Sequence, residues 1–296
     1  MRILFVTSSR IGDAVLSTGL LDHLMRRYPE ARFTVACGPV AAGLFAHMPQ
    51  LERLIVFDKR RYGRHWLGLW AKTVLTGWDL VVDIRASALA WLVPTRRRAI
   101  MRKSPGHKTD QIAAILPVAP PPLPVTWTSA ADRARAAQLL PGDGPWIGLG
   151  PTANWSGKIW PAENFVALFK VLRDELLPGA RPVIFAGPGA HERVGAQAVL
   201  DRLPDAVDLC GTLTLSEAAA CLGRVRIFIG NDSGLMHISA ATGVPTLGLF
   251  GPTSVAEYAP AGRFAASAVG TTADMASLSV ADAAAAAARL LAVVTL

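Results

Sequence analysis

The sequence predicts an α/β protein built from two doubly wound, Rossmann-like domains that face each other across a cleft. Three observations predict it. Short apolar runs alternate with amphipathic, helix-length stretches along the chain. The alternation breaks at a proline-rich stretch, residues 117–124, and then restarts. Late in the chain the apolar run Arg226-Ile227-Phe228-Ile229-Gly230 feeds a polar turn, Asn231-Asp232-Ser233-Gly234, and a small-residue helix that stops at Gly243 before Val244-Pro245.

In chain order, Ile3 to Thr7 reads as the first strand. Gly12 to Tyr28 reads as a helix, with apolar spacing at Val15, Leu16, Leu20 and Leu24. Phe33 to Cys37, Leu54 to Phe57 and Leu80 to Ile84 read as further strands, with a short helix at Ala41 to His47. Apolar strands separated by helices imply a parallel sheet covered on both faces. Pro117, Pro120, Pro121, Pro122 and Pro124 forbid helix and suit an extended connector. A helix from Ser129 to Leu140 and a turn over residues 141–145 lead into the second half. There Trp146–Gly150, Pro182–Ala186, Asp208–Cys210, 226–230 and Thr246–Phe250 read as strands. Asn164–Leu176, His191–Leu203 and Ser216–Leu222 read as helices between them. The expected domains are 1–140 and 141–296. An alanine-rich closing helix at 281–291 is free to pack back towards the first domain.

Composition narrows the function classes. The chain has 296 residues with 51% hydrophobic content, enough for two cores. It contains no uninterrupted apolar stretch of the ~18 residues read as a membrane span. Arg10 and Asp13 interrupt the apolar start, so it reads as a core strand rather than a leader, and the protein is expected in the cytoplasm. Cys37, Cys210 and Cys221 are too few and too scattered for a disulfide framework or zinc site, and read as small buried hydrophobes. No Asp-x-Asp pair occurs and the histidines lack metal-ligand spacing, so neither metal nor cofactor is expected. The net charge of +8 is concentrated in the first half, at residues 60–66 and 96–103, interleaved with Trp66, Trp70, Trp78 and Trp91. Such segments suit a phosphorylated acceptor, an anionic membrane surface or a plain solvated face. A nucleic-acid partner is not expected, because no helix-turn-helix, stacking sheet or other known motif accompanies the charge.

Four turns carry candidate chemistry. The turn at 231–237 opens a helix, so free N–H groups and the positive helix end face outward, suiting a pyrophosphate. It equally suits an ordinary connection capped by Asp232 or Ser233. After the first strand, Ser8-Ser9-Arg10-Ile11-Gly12-Asp13 lacks both the dinucleotide fingerprint and the P-loop lysine. Gly12 allows close backbone approach there. Asp13 offers either a carboxylate to deprotonate an acceptor hydroxyl or a simple helix cap. In Gly150-Pro151-Thr152-Ala153-Asn154-Trp155-Ser156-Gly157-Lys158, Lys158 can reach a pyrophosphate as a point charge, or remain a solvated lysine. Thr152 and Asn154 add hydrogen-bonding groups. Glu192, after Gly187-Pro188-Gly189, can accept nucleoside hydroxyls.

Three motifs in order resemble family-9 glycosyltransferases, the heptosyltransferase family. They are Gly12-Asp13-Ala14-Val15-Leu16-Ser17-Thr18, then Lys158-Ile159-Trp160-Pro161 with Phe165, then Asn231-Asp232-Ser233-Gly234-Leu235-Met236-His237 leading to Phe250-Gly251-Pro252-Thr253. The resemblance implies a GT-B fold, with the acceptor on the first domain and the sugar nucleotide on the second. It implies inverting, metal-independent transfer, usually of heptose from ADP-heptose, to a lipopolysaccharide-core or related lipid-linked acceptor at the inner membrane. Asp13 matches the general base and Lys158 the lysine on the diphosphate. Asp232, Ser233, Gly234 and His237 match the nucleotide-diphosphate loop. The basic residues Arg60, Arg61, Arg64 and Arg97, with Gly12, are expected to hold the acceptor. The chain departs from lipopolysaccharide heptosyltransferases at Ala153 and Asn154, where threonines are common. A sugar-nucleotide epimerase or hydrolase of the same fold is the alternative.

Overall fold

In the computed structural model, residues 1–59, 61–142 and 144–294 are described; Arg60 and Asp143, the latter within the turn expected at 141–145, lie outside them. The chain divides into two units, Met1–Trp127 and Thr128–Leu296.

The first unit runs β1 (Arg2–Val6), α1 (Ile11–Arg27), β2 (Arg32–Cys37), β3 (Leu51–Val56), α2 (Arg64–Thr73), β4 (Trp78–Asp83), α3 (Leu89–Leu92), β5 (Thr95–Ile100) and α4 (Lys108–Ala113). Its strands pair in parallel in the order β3-β2-β1-β4-β5. Ile3, Leu4, Phe5 and Val6 are all fully buried, as a central parallel strand with both faces covered requires. The short helix expected after β2 is a 3-10 turn, Pro39–Phe45. The basic segment at 96–103 holds most of a further strand, β5. It is an edge strand whose three arginines are exposed and which buries only Ala99, so its apolar signal is weak.

The proline-rich stretch is a strap on α1 rather than a bridge between units. Thr18 Oγ1 accepts from the Val125 N–H at 2.9 Å. The Pro122 carbonyl lies so close to Gly19 that a methyl group there would sit 2.3 Å from its oxygen. The helix therefore needs glycine at this point for close approach, not for unusual dihedrals.

The second unit runs α5 (Ala130–Leu139), β6 (Trp146–Gly150), α6 (Ala162–Val171), β7 (Arg181–Ile184), α7 (Ala190–Leu200), β8 (Val207–Asp208), α8 (Leu215–Leu222), β9 (Ile227–Asn231), α9 (Gly234–Thr242), β10 (Thr246–Phe250), α10 (Val255–Tyr258), β11 (Ala265–Val269) and α11 (Val280–Val294). The division falls before α5 rather than after it, because α5 packs on α8. Ser129 starts α5 with a capping box: its hydroxyl accepts from Asp132 N at 3.0 Å, and the Asp132 carboxylate accepts from Ser129 N at 2.7 Å. All pairings in the sheet are parallel, in the order β11-β10-β9-β6-β7-β8. Counted within the unit this is 3-2-1-4-5-6, the dinucleotide-binding order. The small-residue face of α11 (Ala283, Ala286, Ala287, with Leu290 and Leu291) packs into this unit's own core, against α6, β10 and β11. The three cysteines are buried and free. Among the described residues no helix is long and apolar enough to cross a membrane.

Candidate active site

In a doubly wound sheet, ligands bind beyond the carboxyl ends of the strands where the strand order reverses. In the second unit that point lies between β6 and β9. The two loops leaving it are those that carry Lys158 and Asp232. Asn231 ends β9, fully buried, and its Oδ1 accepts from the Trp160 N–H at 3.1 Å. That bond pins the loop after β6 to the end of β9. The Trp160 indole, also fully buried, donates to the Leu278 carbonyl at 2.9 Å and packs edge-on against Phe165. The lysine two residues before this anchor, on a 3-10 turn Ser156–Lys158, is thereby held in place.

Lys158 Nζ lies 2.6 Å from Asp232 Oδ2, and His237 Nε2 lies 3.8 Å from Asp232 Oδ1. The structure thus brings Lys158, Asp232 and His237 into one cluster. Ser233 caps α9 by backbone alone; its side chain makes no capping bond. Its Oγ, and Nδ2 of Asn231, are buried atoms without a hydrogen-bond partner among the described residues. Two idle polar atoms beside the free N–H groups of a helix start form a site shaped for a polar, anionic group. Gly234 opens the helix.

Thr152, Asn154 and Glu192 take different positions. Thr152 is buried with its methyl group against Gly195 of α7. Asn154 is exposed in the loop after β6. Glu192 lies in the first turn of α7, where its carboxylate accepts from the Gly187 N–H at 3.3 Å and closes the Gly187-Pro188-Gly189 turn. All three follow β6 or β7, on the carboxyl rim of the sheet. Among the described residues there is no group of three or more His, Cys, Asp or Glu side chains that could hold a metal ion.

In the first unit the order reverses between β1 and β4. Gly12 and Asp13 lie in the first turn of α1, directly after β1. Asp13 is not the helix cap. Arg10 occupies that position without a side-chain bond, and the half-buried Asp13 carboxylate accepts from Ser8 Oγ at 3.4 Å. The other loop at this point was missed in the sequence. Arg85 follows β4, its guanidinium 3.5 Å from Ser9 Oγ and 5.9 Å from the Trp66 ring centre. Asp83 shapes the loop by accepting from Arg85 N at 2.8 Å and from Ser87 N at 2.9 Å. Burial pushes the Asp83 carboxyl above its usual range. The signal was a lone arginine two residues past the end of β4, with no other charged residue between Asp83 and Arg96.

The expected acceptor arginines do not gather. Arg60 lies outside the described residues. Arg61 and Arg64 are exposed between β3 and the first turn of α2. Arg97 is in mid-strand, in register with Leu80, which pairs in turn with Ile3 near the start of β1. It is therefore set well back from the carboxyl rim.

Comparison with known proteins agrees with this geometry. Residues 108–285 match the family model described as glycosyltransferase family 9 (heptosyltransferase). The lipooligosaccharide heptosyltransferase 2 of Haemophilus influenzae is 28% identical, over 88% of this chain and 86% of its own length. A family 9 glycosyl transferase from Veillonella parvula has the same fold, with a TM-score of 0.81 at 22% identity over 98% of this chain and 97% of its own. An E. coli heptosyltransferase solved with ADP gives 0.76 at 18% identity, over 95% and 97% of the two chains. With its model matched from Lys108 through the whole Lys158–His237 cluster, the chain belongs to glycosyltransferase family 9, the heptosyltransferases, and is a glycosyltransferase of GT-B fold.

Proposed function

We propose that this enzyme transfers heptose from ADP-heptose to an acceptor of the lipopolysaccharide core, with inversion and without a metal ion, on the cytoplasmic side of the inner membrane. The observation that carries the donor half is the Lys158–Asp232–His237 cluster beside the unpartnered Asn231 Nδ2 and Ser233 Oγ at the start of α9. The diphosphate of the donor accepts from the free N–H groups of α9 and from Ser233, while Lys158 supplies a positive charge. The ADP held by a solved relative and the heptosyltransferase names of the curated relatives support the choice of donor. Thr152, Asn154 and Glu192, on the same rim, are assigned to the nucleotide.

The first unit takes the acceptor. Asp13 removes the proton of the attacking hydroxyl as its oxygen bonds the anomeric carbon; the carbon–oxygen bond to the diphosphate breaks and ADP leaves. Lys158 and the helix end stabilise the charge that develops on the leaving diphosphate. Gly12, Arg61 and Arg64, near the same rim, are assigned to the acceptor, and so is Arg85, beside Ser9.

The test is turnover of ADP-heptose with a delipidated core acceptor in the presence of a chelator. Asp13→Asn is expected to lower turnover by about 10²–10⁴-fold, the usual worth of a general base, with ADP affinity unchanged. Undiminished turnover removes Asp13 from the chemistry. Free heptose or a second sugar nucleotide formed without acceptor would point to a hydrolase or epimerase instead.

A further inference from the structure

We propose that α2, α3 and β5 of the first unit form a docking surface for an anionic membrane. The proposal rests on the reading above only in supposing a lipid-linked acceptor.

The tryptophans interleaved with the basic segments divide into two sets. Trp78 is buried, and Trp66 turns inward, 5.4 Å from Phe57 and 5.1 Å from His65 between ring centres. Trp70 and Trp91 turn outward, 39% and 68% exposed. The Trp70 indole N–H donates to the Leu92 carbonyl at 2.9 Å, which ties α2 to α3. Leu92 is 60% exposed, and so to a similar degree is Leu67, one turn before Trp70 on the outer face of α2, at 66%. Four large apolar side chains are thus presented together to solvent on fixed elements. Scattered exposed hydrophobes need no explanation, but a gathered group marks an interaction site.

The charge around this group selects the partner. Arg98 lies with its guanidinium 5.5 Å from the centre of the Trp91 ring, and its Nε donates to the Ala90 carbonyl at 2.6 Å. Arg64 stands one turn before Leu67 on the outer face of α2, and Arg96, paired with Asp79 at 3.5 Å, is exposed on the same face of β5 as Arg98. Tryptophan and leucine seated at headgroup depth, with arginines reaching lipid phosphates, is the composition of a protein lying in a membrane interface. Anionic headgroups supply a counter-charge for Arg64 and Arg98 that a neutral protein surface would not.

The experiment is sedimentation of the full chain with vesicles of phosphatidylglycerol mixed into phosphatidylcholine, compared with vesicles of phosphatidylcholine alone. Wild-type protein is expected to bind the anionic vesicles at least tenfold more tightly, and less as salt rises. The double variant Trp91→Ser/Leu92→Ser, and Leu67→Ser, are expected to lose about tenfold or more in binding. Their melting temperature, ADP affinity and transfer to a delipidated acceptor should stay unchanged. Equal vesicle binding by the variants, no binding by the wild type, or self-association through these residues without vesicle binding would each overturn the proposal. Normal transfer to the delipidated acceptor with failed vesicle binding removes the docking surface and leaves the enzymatic reading intact. Vesicle binding with no turnover of ADP-heptose does the reverse.

Discussion

The Lys158–Asp232 pair joins stability to ligand binding, and a double-mutant cycle separates them. The carboxylate is 8% exposed and the lysine 22%, with 2.6 Å between the charged atoms. At an effective dielectric constant of about 20, two unit charges about 4 Å apart attract by roughly 4 kcal/mol, before desolvation is subtracted. Removing one member of a fully buried pair costs about 3–5 kcal/mol, because the other charge is left uncompensated. Lys158 is partly open to water, so about 2–3 kcal/mol is the appropriate figure for Lys158→Ala. In a chain of this size that lowers the melting temperature by roughly 4–12 °C. Asp232→Asn in the same background removes the stranded charge, so Lys158→Ala/Asp232→Asn should recover most of the loss. ADP affinity should not recover, because the cation facing the diphosphate is still missing. The assay is paired: thermal melting of four proteins, and calorimetric titration of each with ADP. Equal melting temperatures for the single lysine variant and the double variant would refute the electrostatic argument. Wild-type ADP affinity in Lys158→Ala would refute its place at the diphosphate.

Asn231→Ala removes the acceptor of the buried Trp160 N–H and should cost about 1–3 kcal/mol in denaturant unfolding; ADP binding should weaken with it, since the loop carrying Lys158 loses its anchor. Gly19→Ala drives a methyl group into the Pro122 carbonyl and should cost about 1–3 kcal/mol, the range for overpacking, whereas an alanine at an ordinary helix position would stabilise; an increase in stability would show that the strap does not hold α1. Asp83 has a folded-state pKa above its unfolded one, so the native chain holds that proton to higher pH. Its contribution to stability is therefore present below the unfolded pKa and lost as pH rises through the folded one. Relative to wild type, Asp83→Asn should be least stable in acid and improve as pH rises towards neutrality, measured as urea midpoints across that range; a constant difference would show that burial does not shift the group.

Which features were legible in the sequence follows from where each side chain points. Central strands declare themselves because both faces are buried, so β1 and β9 read as unbroken apolar runs. Edge strands do not. In β5 three consecutive arginines occupy positions a central strand would fill with valine or isoleucine, and β11 is Ala265-Ala266-Ser267-Ala268-Val269. The turns after β1, β6 and β9 were legible because glycine and a charged residue follow a strand in a pattern with a chemical purpose. The pairing of Lys158 with Asp232 was not, since it joins residues 74 positions apart. Nor was the role of Asn231, whose Oδ1 holds the loop after β6.

The basic, tryptophan-bearing segments show the same limit most sharply. As letters, Trp66 and Trp70 are alike, each beside arginines or lysine on one helix. Four positions separate them by little more than one helical turn, yet Trp66 joins the cluster under β4 and Trp70 reaches across to Leu92. Composition alone therefore left a phosphorylated acceptor, an anionic membrane surface and a plain solvated face all open. Only the fold tells which rings are core and which are surface. Once Trp66 and Trp78 are assigned to the core, Trp70 and Trp91 remain as the exposed rings of these segments, with Arg98 over Trp91. The arginines then serve two different ends of the unit. Arg85 stands at the reversal point beside Ser9, where an acceptor would meet Asp13, and Arg98 stands back along β5 beside Trp91. A phosphorylated acceptor anchored in a membrane has need of both, one set for its headgroup and another for the surface it emerges from.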